Sequence, residues 1–373
     1  MSGTELYRKY RPIQLSDIVG QQVVVRSLSR QARRNAFNHA YLLVGHYGAG
    51  KTSVARIIAK LLTCEHRKEG TDKVCGRCES CMSIHNGTAS DVQEIDGAST
   101  RGIDNVKAMK QDAYYPPISL KRKVYVIDEC HKLTSDAFDA LLKVLEEPPQ
   151  HVHFILCTTE PRKLLPTILS RCQRWRFTAI PPKLISERLD RVASKENIKV
   201  EDGVCLSIAR QSKGSLRDAL VDLEMISSYS DGNVTAKDFS EFFGAPDRRA
   251  VYQIVRMVAD ANPAGMLRLI NDLILASVDT RVILADVSDV MRQVFMFKYC
   301  GRDESMVDLD AGEMEVVSDL ANRFSEATLI KIASSFSRVE KQIAVNINER
   351  WILEAALLNC IVIVRAEARQ KQS

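Results

Sequence analysis

The chain reads as a parallel α/β nucleotide-binding domain with an inserted four-cysteine module, followed by a small helical lid and an all-α domain. Three observations predict this. A phosphate-binding loop, Gly45 to Thr52, joins an apolar strand to an amphipathic helix; four cysteines fall between Cys64 and Cys81; and helical periodicity broken by polar turns runs from residue 181 onward. At 373 residues, 45% apolar and 27% charged, the chain is long enough for two or three cored domains and is neither disordered, collagenous nor a disulfide miniprotein. A net charge of +5 permits nucleic acid as a partner without requiring it.

In chain order, Met1 to Pro12 is polar and charged, with no apolar run that reads as a signal peptide. The longest apolar stretch, Trp351 to Val364, is broken by Glu354 and Asn359 and reads as a buried helix, too short to span a membrane. The segment His39 to Val44 is strand-like, and Ser53 to Leu62 carries Val54, Ile57, Ile58, Leu61 and Leu62 at helical spacing. Between them stands Gly45-His46-Tyr47-Gly48-Ala49-Gly50-Lys51-Thr52, the pattern GxxxxGK[ST] in its strand-loop-helix setting. Glycines let backbone N–H groups close on phosphate oxygens, and the helix N-terminus that Ser53 continues favours the anion. Lys51 then reaches the outer phosphates and the Thr52 hydroxyl supports Mg2+.

A second strand, Lys123 to Ile127, ends in Asp128-Glu129, at the edge of a parallel sheet where ligands bind. Asp128 suits support of the magnesium and Glu129 suits accepting the proton of an attacking water. A third strand, His153 to Cys157, delivers Thr158 and Thr159 to the same edge. Pro166 opens a short helix that ends at Arg171. Further on, Ser215 and Asp218 form an S-x-x-D capping box that puts Arg217 in the first turn of a helix, against the dipole. Leu220 and Val221 give it no counter-charge, so an external anion is expected there.

In the cysteine module, Cys64 precedes Cys75, Cys78 and Cys81 at C-x2-C-x2-C spacing, four soft ligands that suit tetrahedral structural zinc, with an iron–sulfur cluster as the rival. The other six cysteines, Cys130, Cys157, Cys172, Cys205, Cys300 and Cys360, read as small core residues. Six basic residues, Arg101, Lys107, Lys110, Lys121, Arg122 and Lys123, form a stretch able to grip phosphates without sequence preference. Arg26, Arg30, Arg33 and Arg34 read as the solvated face of one helix. Residues 181–243 show no strand signal and turn at Ser230-Asp231-Gly232-Asn233. Residues 244–373 read as four or five amphipathic helices, one opened by Asn262-Pro263 and one closed near Gly301.

Together these motifs resemble the clamp-loader ATPases of the AAA+ class, and more narrowly the gamma/tau subunits of bacterial DNA polymerase III. The strings that carry the resemblance are Tyr10-Arg11-Pro12, Asp17 to Gln21, the phosphate loop, Leu141 to Pro149, Ser170-Arg171-Cys172 and Gly214 to Leu220. It is dense from residue 5 to 225 and weak beyond 245. The resemblance implies an AAA+ domain over 1–180 with a zinc module near 64–81, a lid over 181–243 and a collar over 244–373 that forms a five-subunit ring. It places Tyr10, Arg11, Pro12 and Val19 in the adenine-contacting segment, Thr159 at the sensor of the terminal phosphate, and Arg217 at the second sensor. Arg171 falls on the arginine finger that acts in trans on a neighbour's ATP, and Arg101 and Lys143 are the positions expected to touch DNA.

The implied activity is ATP hydrolysis that opens a sliding clamp and closes it on primer-template DNA, with ATP, Mg2+ and Zn2+ as cofactors. Implied partners are delta and delta-prime subunits, further gamma/tau copies, the clamp, and linkers to the polymerase and the single-strand-binding protein. The implied location is the cytoplasm at replication forks. A DNA-remodelling or junction-translocating AAA+ motor is the alternative. A non-catalytic scaffold is disfavoured because Lys51, Thr52, Asp128 and Glu129 are all present.

Overall fold

Apolar runs with alternating side chains dictate a sheet covered on both faces. The structure, a computed structural model, describes residues 5–99, 103–276, 278–301, 309, 311–343 and 349–370. Its strands β1 (Ala40–Gly45), β2 (Val92–Asp96), β3 (Lys123–Asp128), β4 (Val152–Thr158) and β5 (Gln173–Phe177) form one parallel sheet in the order β2-β3-β4-β1-β5. The sequence reading located β1, β3 and β4, and the structure adds β2 and β5 as the two edges.

The period-2 alternation of the central strands divides the core in two. Tyr41, Leu43, Val124, Val126, Ile155 and Cys157 face one side, against Leu28 of α2 (Gln22–Arg34, preceded by the single turn α1, Leu6–Lys9) and Val54, Ile57, Ile58 and Leu61 of α3 (Lys51–Thr63). Leu42, Tyr125, Ile127, Phe154 and Leu156 face the other, against Met109, Phe138, Leu141, Val144 and Ile168. Those partners come from α5 (Ile103–Ala113), α6 (Ser135–Glu146) and α7 (Pro166–Arg171); α4 (Glu79–Asn86) belongs to the cysteine module. Burying each such side chain contributes about 1.5–3 kcal/mol before conformational entropy is subtracted.

After the sheet come α8 (Pro182–Glu196), α9 (Val204–Gln211), α10 (Leu216–Tyr229) and α11 (Ala236–Phe243), then α12 (Arg248–Ala259), α13 (Pro263–Leu275), α14 (Thr280–Cys300), α15 (Ala311–Arg323), α16 (Glu326–Ile343) and α17 (Glu349–Gln370). Two-residue strands β6 (Lys199–Val200) and β7 (Asn233–Val234) pair in parallel, correcting the expectation of no strand in this region. Their pairing is short enough to leave no periodic signal. The expected polar turn holds Asp231 and Gly232 at φ 48° and 83°. The chain divides into two compact units, Met1–Glu196 with Cys205–Glu224, and Asn197–Val204 with Met225–Ser373.

The second unit contains six helices from α12 onward among the described residues, where four or five were expected, around a core of residues such as Val255, Ile270, Val287, Val294, Leu320 and Leu357. Asn262 caps α13 through its side-chain oxygen to the Gly265 N–H at 3.0 Å, and Gly301 ends α14 at φ 65°. The expected buried helix at Trp351 is α17, but it is amphipathic: Trp351 and Val362 are exposed while Leu353, Leu357 and Cys360 are buried. No described helix is long and apolar enough to cross a membrane. Of the six scattered cysteines five are buried and Cys300 is exposed at the end of α14, a correction to its reading as core.

Candidate functional site

Gly45 ends β1, and the loop to α3 is shaped by two glycines that no other residue could replace. A Cβ on Gly45 would lie 2.2 Å from the Phe177 carbonyl oxygen, and one on Gly48, at φ 67°, would lie 1.8 Å from Ser215 Oγ. Lys51, first residue of α3, is 5% exposed, and its Nζ donates to the carbonyls of Gly45 and His46, each at 2.9 Å. Burial draws its pKa down, opposed by the charges of Asp128 and Glu129. A buried ammonium hydrogen-bonded to loop carbonyls is poised for a stronger anion.

Thr52 Oγ1 donates to Asp128 Oδ2 at 2.7 Å, joining the loop to the end of β3. Asp128 Oδ1 accepts the Glu129 N–H at 2.9 Å, and Glu129 adopts left-handed backbone angles, φ 45° and ψ 41°. Thr159, just beyond β4, donates to Glu129 Oε2 at 3.2 Å. Lys51, Thr52, Asp128 and Glu129 therefore line one pocket with Tyr47, Gly48, Ala49, Gly50 and Ser53.

The pocket's apolar wall is built from Tyr10, Pro12, Val19, Ile18, Ile180, Leu216 and Leu220, with Arg11 beside them. Burial first, then the neighbouring Arg56, lowers the Arg11 pKa. The Tyr10 hydroxyl bonds the Glu196 carboxylate, and burial followed by that contact pushes its pKa up to about 12. Arg217 stands in the first turn of α10, whose N-terminus Ser215 caps by accepting the Asp218 N–H at 3.2 Å. Its guanidinium donates to the Tyr47 hydroxyl at 2.8 Å and stacks 4.8 Å from the Tyr7 ring centre. Among the described residues its contacts are the Tyr7 and Tyr47 rings and the Tyr47 hydroxyl, with no carboxylate.

Of the residues expected at the nucleotide, Gly45, His46, Thr159 and Arg171 do not line the pocket; Gly45 and His46 meet it through their carbonyls on Lys51 Nζ, and Thr159 through Glu129. Arg171, at the end of α7, pairs with Glu146 and donates to the Thr167 carbonyl at 2.8 Å. Lys143 is exposed on α6. Arg101 lies outside the described residues. Lys123 leaves the basic stretch altogether: it is 3% exposed at the start of β3 and its Nζ bonds Asp112 at 2.7 Å. Arg26, Arg30, Arg33 and Arg34 are exposed on α2 as expected.

Two functional neighbours escaped the sequence reading. Tyr7 is one; the other is His131, in the short turn Cys130–Lys132. Its Nδ1 lies 3.0 Å from Thr158 Oγ1 and 3.3 Å from Glu129 Oε2, and its Nε2 lies 3.3 Å from Glu160 Oε1. A histidine two residues after the acidic pair was visible as a string, but nothing in spacing shows that its two nitrogens face different carboxylates.

The sulfurs of Cys64, Cys75, Cys78 and Cys81 all lie within 4.8 Å of one another. A tetrahedral ion with metal–sulfur bonds of about 2.3 Å spaces its ligands by about 3.8 Å, and the Cys64–Cys78 and Cys75–Cys81 pairs stand at 4.0 Å. Backbone N–H groups of Cys75 and Cys78 point at Cys64 Sγ and Cys75 Sγ, at 3.5 and 3.3 Å. The N–H of Arg77 holds the Cys75 pKa below the ordinary thiol value. These donors favour the thiolate at Cys75, while burial pushes the Cys64 and Cys81 thiols up; the spacing of the four sulfurs is what suits them to hold one metal ion.

Three adjoining stretches match known families: residues 20–181 the DNA polymerase III delta subunit, 187–233 the RCF1/5-like AAA+ ATPase lid domain, and 234–372 domain III of DNA polymerase III subunits gamma and tau. The chain is 38% identical to DNA polymerase III subunit tau of Bacillus subtilis over 298 residues, 80% of this chain and 53% of that one. It is 35% identical to the Escherichia coli K12 tau subunit over 318 residues, 84% and 49% of the two chains, and 35% identical to the Mycobacterium tuberculosis H37Rv gamma/tau subunit over 333 residues, 88% and 57%. The chain thus spans about half the length of the curated relatives it matches. Among solved structures, the Thermotoga maritima RuvB Holliday junction branch migration motor matches at TM-score 0.47 and 19% identity, over 67% of this chain and 79% of that one, a likeness too loose to carry a functional argument. The parallel sheet, helical lid and all-α C-terminal region are those of an AAA+ fold. On the adjoining matches and these relatives, the chain belongs to the DNA polymerase III gamma/tau family.

Proposed function

We propose that the chain is an ATPase subunit of a replicative clamp loader, coupling ATP binding and hydrolysis to opening a sliding clamp and closing it on primer-template DNA. The observation that carries this reading is the convergence of Lys51, Thr52, Asp128, Glu129 and Arg217 on one pocket with an apolar wall beside it. The apolar wall of Tyr10, Pro12 and Val19 holds the adenine, and the N–H groups of Gly48 to Ser53 with Lys51 hold the phosphates. Thr52 and Asp128 hold the magnesium, which when bound neutralises charge on the outer phosphates. Glu129 accepts the proton of the attacking water, Thr159 senses the terminal phosphate, and Arg217 from the lid closes on the phosphates.

Arg171 serves as the finger for a neighbouring subunit's nucleotide, worth about 10³–10⁵ in rate. Its place outside the chain's own pocket supports that reading. The working division is an ATPase domain over 1–180, a lid over 181–243 and a collar over 244–373. Delta, delta-prime and further gamma/tau copies complete a five-membered ring around the DNA. Arg101 and Lys143 contact the duplex. The four cysteines hold structural zinc, for which the sulfur spacing is the support. The setting is the cytoplasm, at replication forks.

Steady-state ATP turnover in the assembled ring tests the proposal. Stimulation that needs primed DNA, rises with clamp, and is lost in Lys51→Ala and Arg171→Ala supports it. Turnover indifferent to primer and clamp overturns it and favours the DNA-remodelling motor.

A further inference from the structure

A second cavity lies at the other end of the sheet from the phosphate loop, beside the starts of β3 and β4. Its volume is about 670 Å³, within the range of about 300–1,000 Å³ usual for small-molecule sites. Among the described residues its lining carries five cations, Arg33, Arg34, Arg67, Lys121 and Arg122, against one carboxylate, Glu69, an excess of four positive charges. The cations come from three separate stretches: the end of α2, the segment after α3, and the two residues before β3. Nothing but the fold brings them around one hollow.

Local needs explain part of this charge. Arg33 and Arg34 stand in the last turn of α2, where the helix dipole favours cations, and Asp72 meets Arg33 at 3.4 Å. Arg67 donates to the Ala32 carbonyl at 2.8 Å, the Thr71 carbonyl at 3.3 Å and Asn35 Oδ1 at 2.6 Å, with its guanidinium 5.7 Å from the Phe37 ring centre. No helix end calls for Lys121 and Arg122, which precede a strand. Neither Arg34 nor Lys121 makes a hydrogen bond or ion pair among the described residues, and Arg122 donates to the Gln150 carbonyl with one of its five N–H groups. His153 adds no charge: its Nδ1 faces the Asn38 carbonyl at 2.9 Å and so carries the hydrogen, and burial lowers the ring's pKa.

A hollow lined by one sign of charge focuses its field on whatever counter-ion enters. A nucleic-acid strand is tracked by cations strung along an open groove, whereas here they surround a cavity. Guanidinium groups take phosphate oxygens in pairs, and an excess of four charges, less what Asp72 offsets, suits an anion with three or four. We propose that this cavity binds a compact polyphosphate, either an inorganic one or the phosphate chain of a nucleotide. Arg34, Lys121 and Arg122 hold the phosphates, and Arg67, fixed by its carbonyl partners, forms a rigid wall. The site is distinct from the nucleotide pocket: Leu61, in its lining, stands about 15 Å along α3 from Lys51. It is independent of whether the chain loads a clamp.

Calorimetric titration of the full chain with sodium tripolyphosphate tests this, in a Lys51→Ala background that removes the ammonium of the first pocket. One equivalent should bind. Arg34→Ala combined with Lys121→Ala, both exposed side chains, should weaken it by at least about ten-fold, the loss expected when charge-assisted contacts go. Arg30→Ala, an exposed arginine of α2 outside the cavity, should change it by less than about two-fold. Inorganic phosphate at matched ionic strength should bind at least about ten-fold more weakly than tripolyphosphate. ATP as the titrant separates the two sources: a component tighter than tripolyphosphate and lost with the same double substitution assigns a nucleotide, and an equal one assigns the inorganic chain. In the chain that keeps Lys51, the double substitution should leave ATP affinity at the first pocket within about two-fold. Tripolyphosphate that does not bind, or that binds equally well to the double variant, overturns the proposal. So does binding no tighter than that of phosphate, which marks an adventitious ion only. Displacement of tripolyphosphate by an equimolar oligodeoxythymidylate overturns it in favour of a nucleic-acid surface.

Discussion

At the scale of single residues, the chemistry of the pocket was legible where residue type and spacing suffice. Lys51, Thr52, Asp128 and Glu129 could be assigned from the loop pattern and from an acidic pair closing an apolar strand, and the structure brings all four together. Arg217 was legible as a cation set against a helix dipole, and its contacts prove to be the Tyr7 and Tyr47 rings. Tyr7 and His131 were not legible, because each acquires its neighbours only through the tertiary fold. Asp222 was missed for the same reason: burial first, then Asp218 four residues before it, raises its pKa to about 6. Between the ordinary 3.8 and about 6 the native chain holds a proton that the unfolded chain has lost, so stability falls as pH rises through that window. Asp222→Asn removes the fall. Its melting temperature should exceed that of the unsubstituted chain at pH 7 and match it below the ordinary carboxylate value, which thermal denaturation across pH checks.

At the scale of elements, the strands found in the sequence are the three interior ones and the strands missed are the two edges. Interior β1, β3 and β4 are buried on both faces and read as continuous apolar runs. Edge strand β2 reads Val-Gln-Glu-Ile-Asp and β5 reads Gln-Arg-Trp-Arg-Phe, each part exposed, with charges where an interior strand would have none. Helix α3 was placed to within two residues at its start because the loop pattern fixes where it begins. One element contact invites a test. The phosphate loop and α10 approach so closely at Gly48 and Ser215 that any side chain at 48 collides with the cap of α10. Gly48→Ala should weaken nucleotide binding by at least about ten-fold, the left-handed strain alone being worth about 1–2 kcal/mol. Adding Ser215→Gly should recover part of the loss, since glycine at a helix N-cap costs only a few tenths of a kcal/mol. Equilibrium nucleotide titration reads both.

At the scale of the whole molecule, the partition of roles between copies is open to a mixing experiment. Lys51→Ala chains that cannot hold nucleotide still carry Arg171, and Arg171→Ala chains still hold nucleotide. Rings assembled from both should recover turnover that neither supports alone; additive, unrecovered rates would place the finger within its own chain. The metal module makes a second whole-molecule prediction. Elemental analysis should find one zinc and no iron per chain, and chelation should lower the melting temperature, because the sulfur cluster packs on α3 through Cys64 and Cys81. The helices from α12 onward were legible only as periodicity and caps, since helices that pack on one another carry no chemical signature of their number.

Gln14 joins the two ends of the first unit's chemistry. Its side-chain amide donates to the Val74 carbonyl at 2.7 Å and accepts the Val74 N–H at 3.1 Å, as a neighbouring strand would. Gln14 follows the Tyr10 to Pro12 wall of the pocket by two residues, and Val74 immediately precedes Cys75. If a metal on the four cysteines and a nucleotide in the pocket are coupled through this bridge, the factor by which chelation weakens nucleotide binding must equal the factor by which nucleotide tightens the hold on metal. A chain stripped of its ion, or with its thiols oxidised, would then also release its nucleotide, and Gln14→Ala would uncouple the two events.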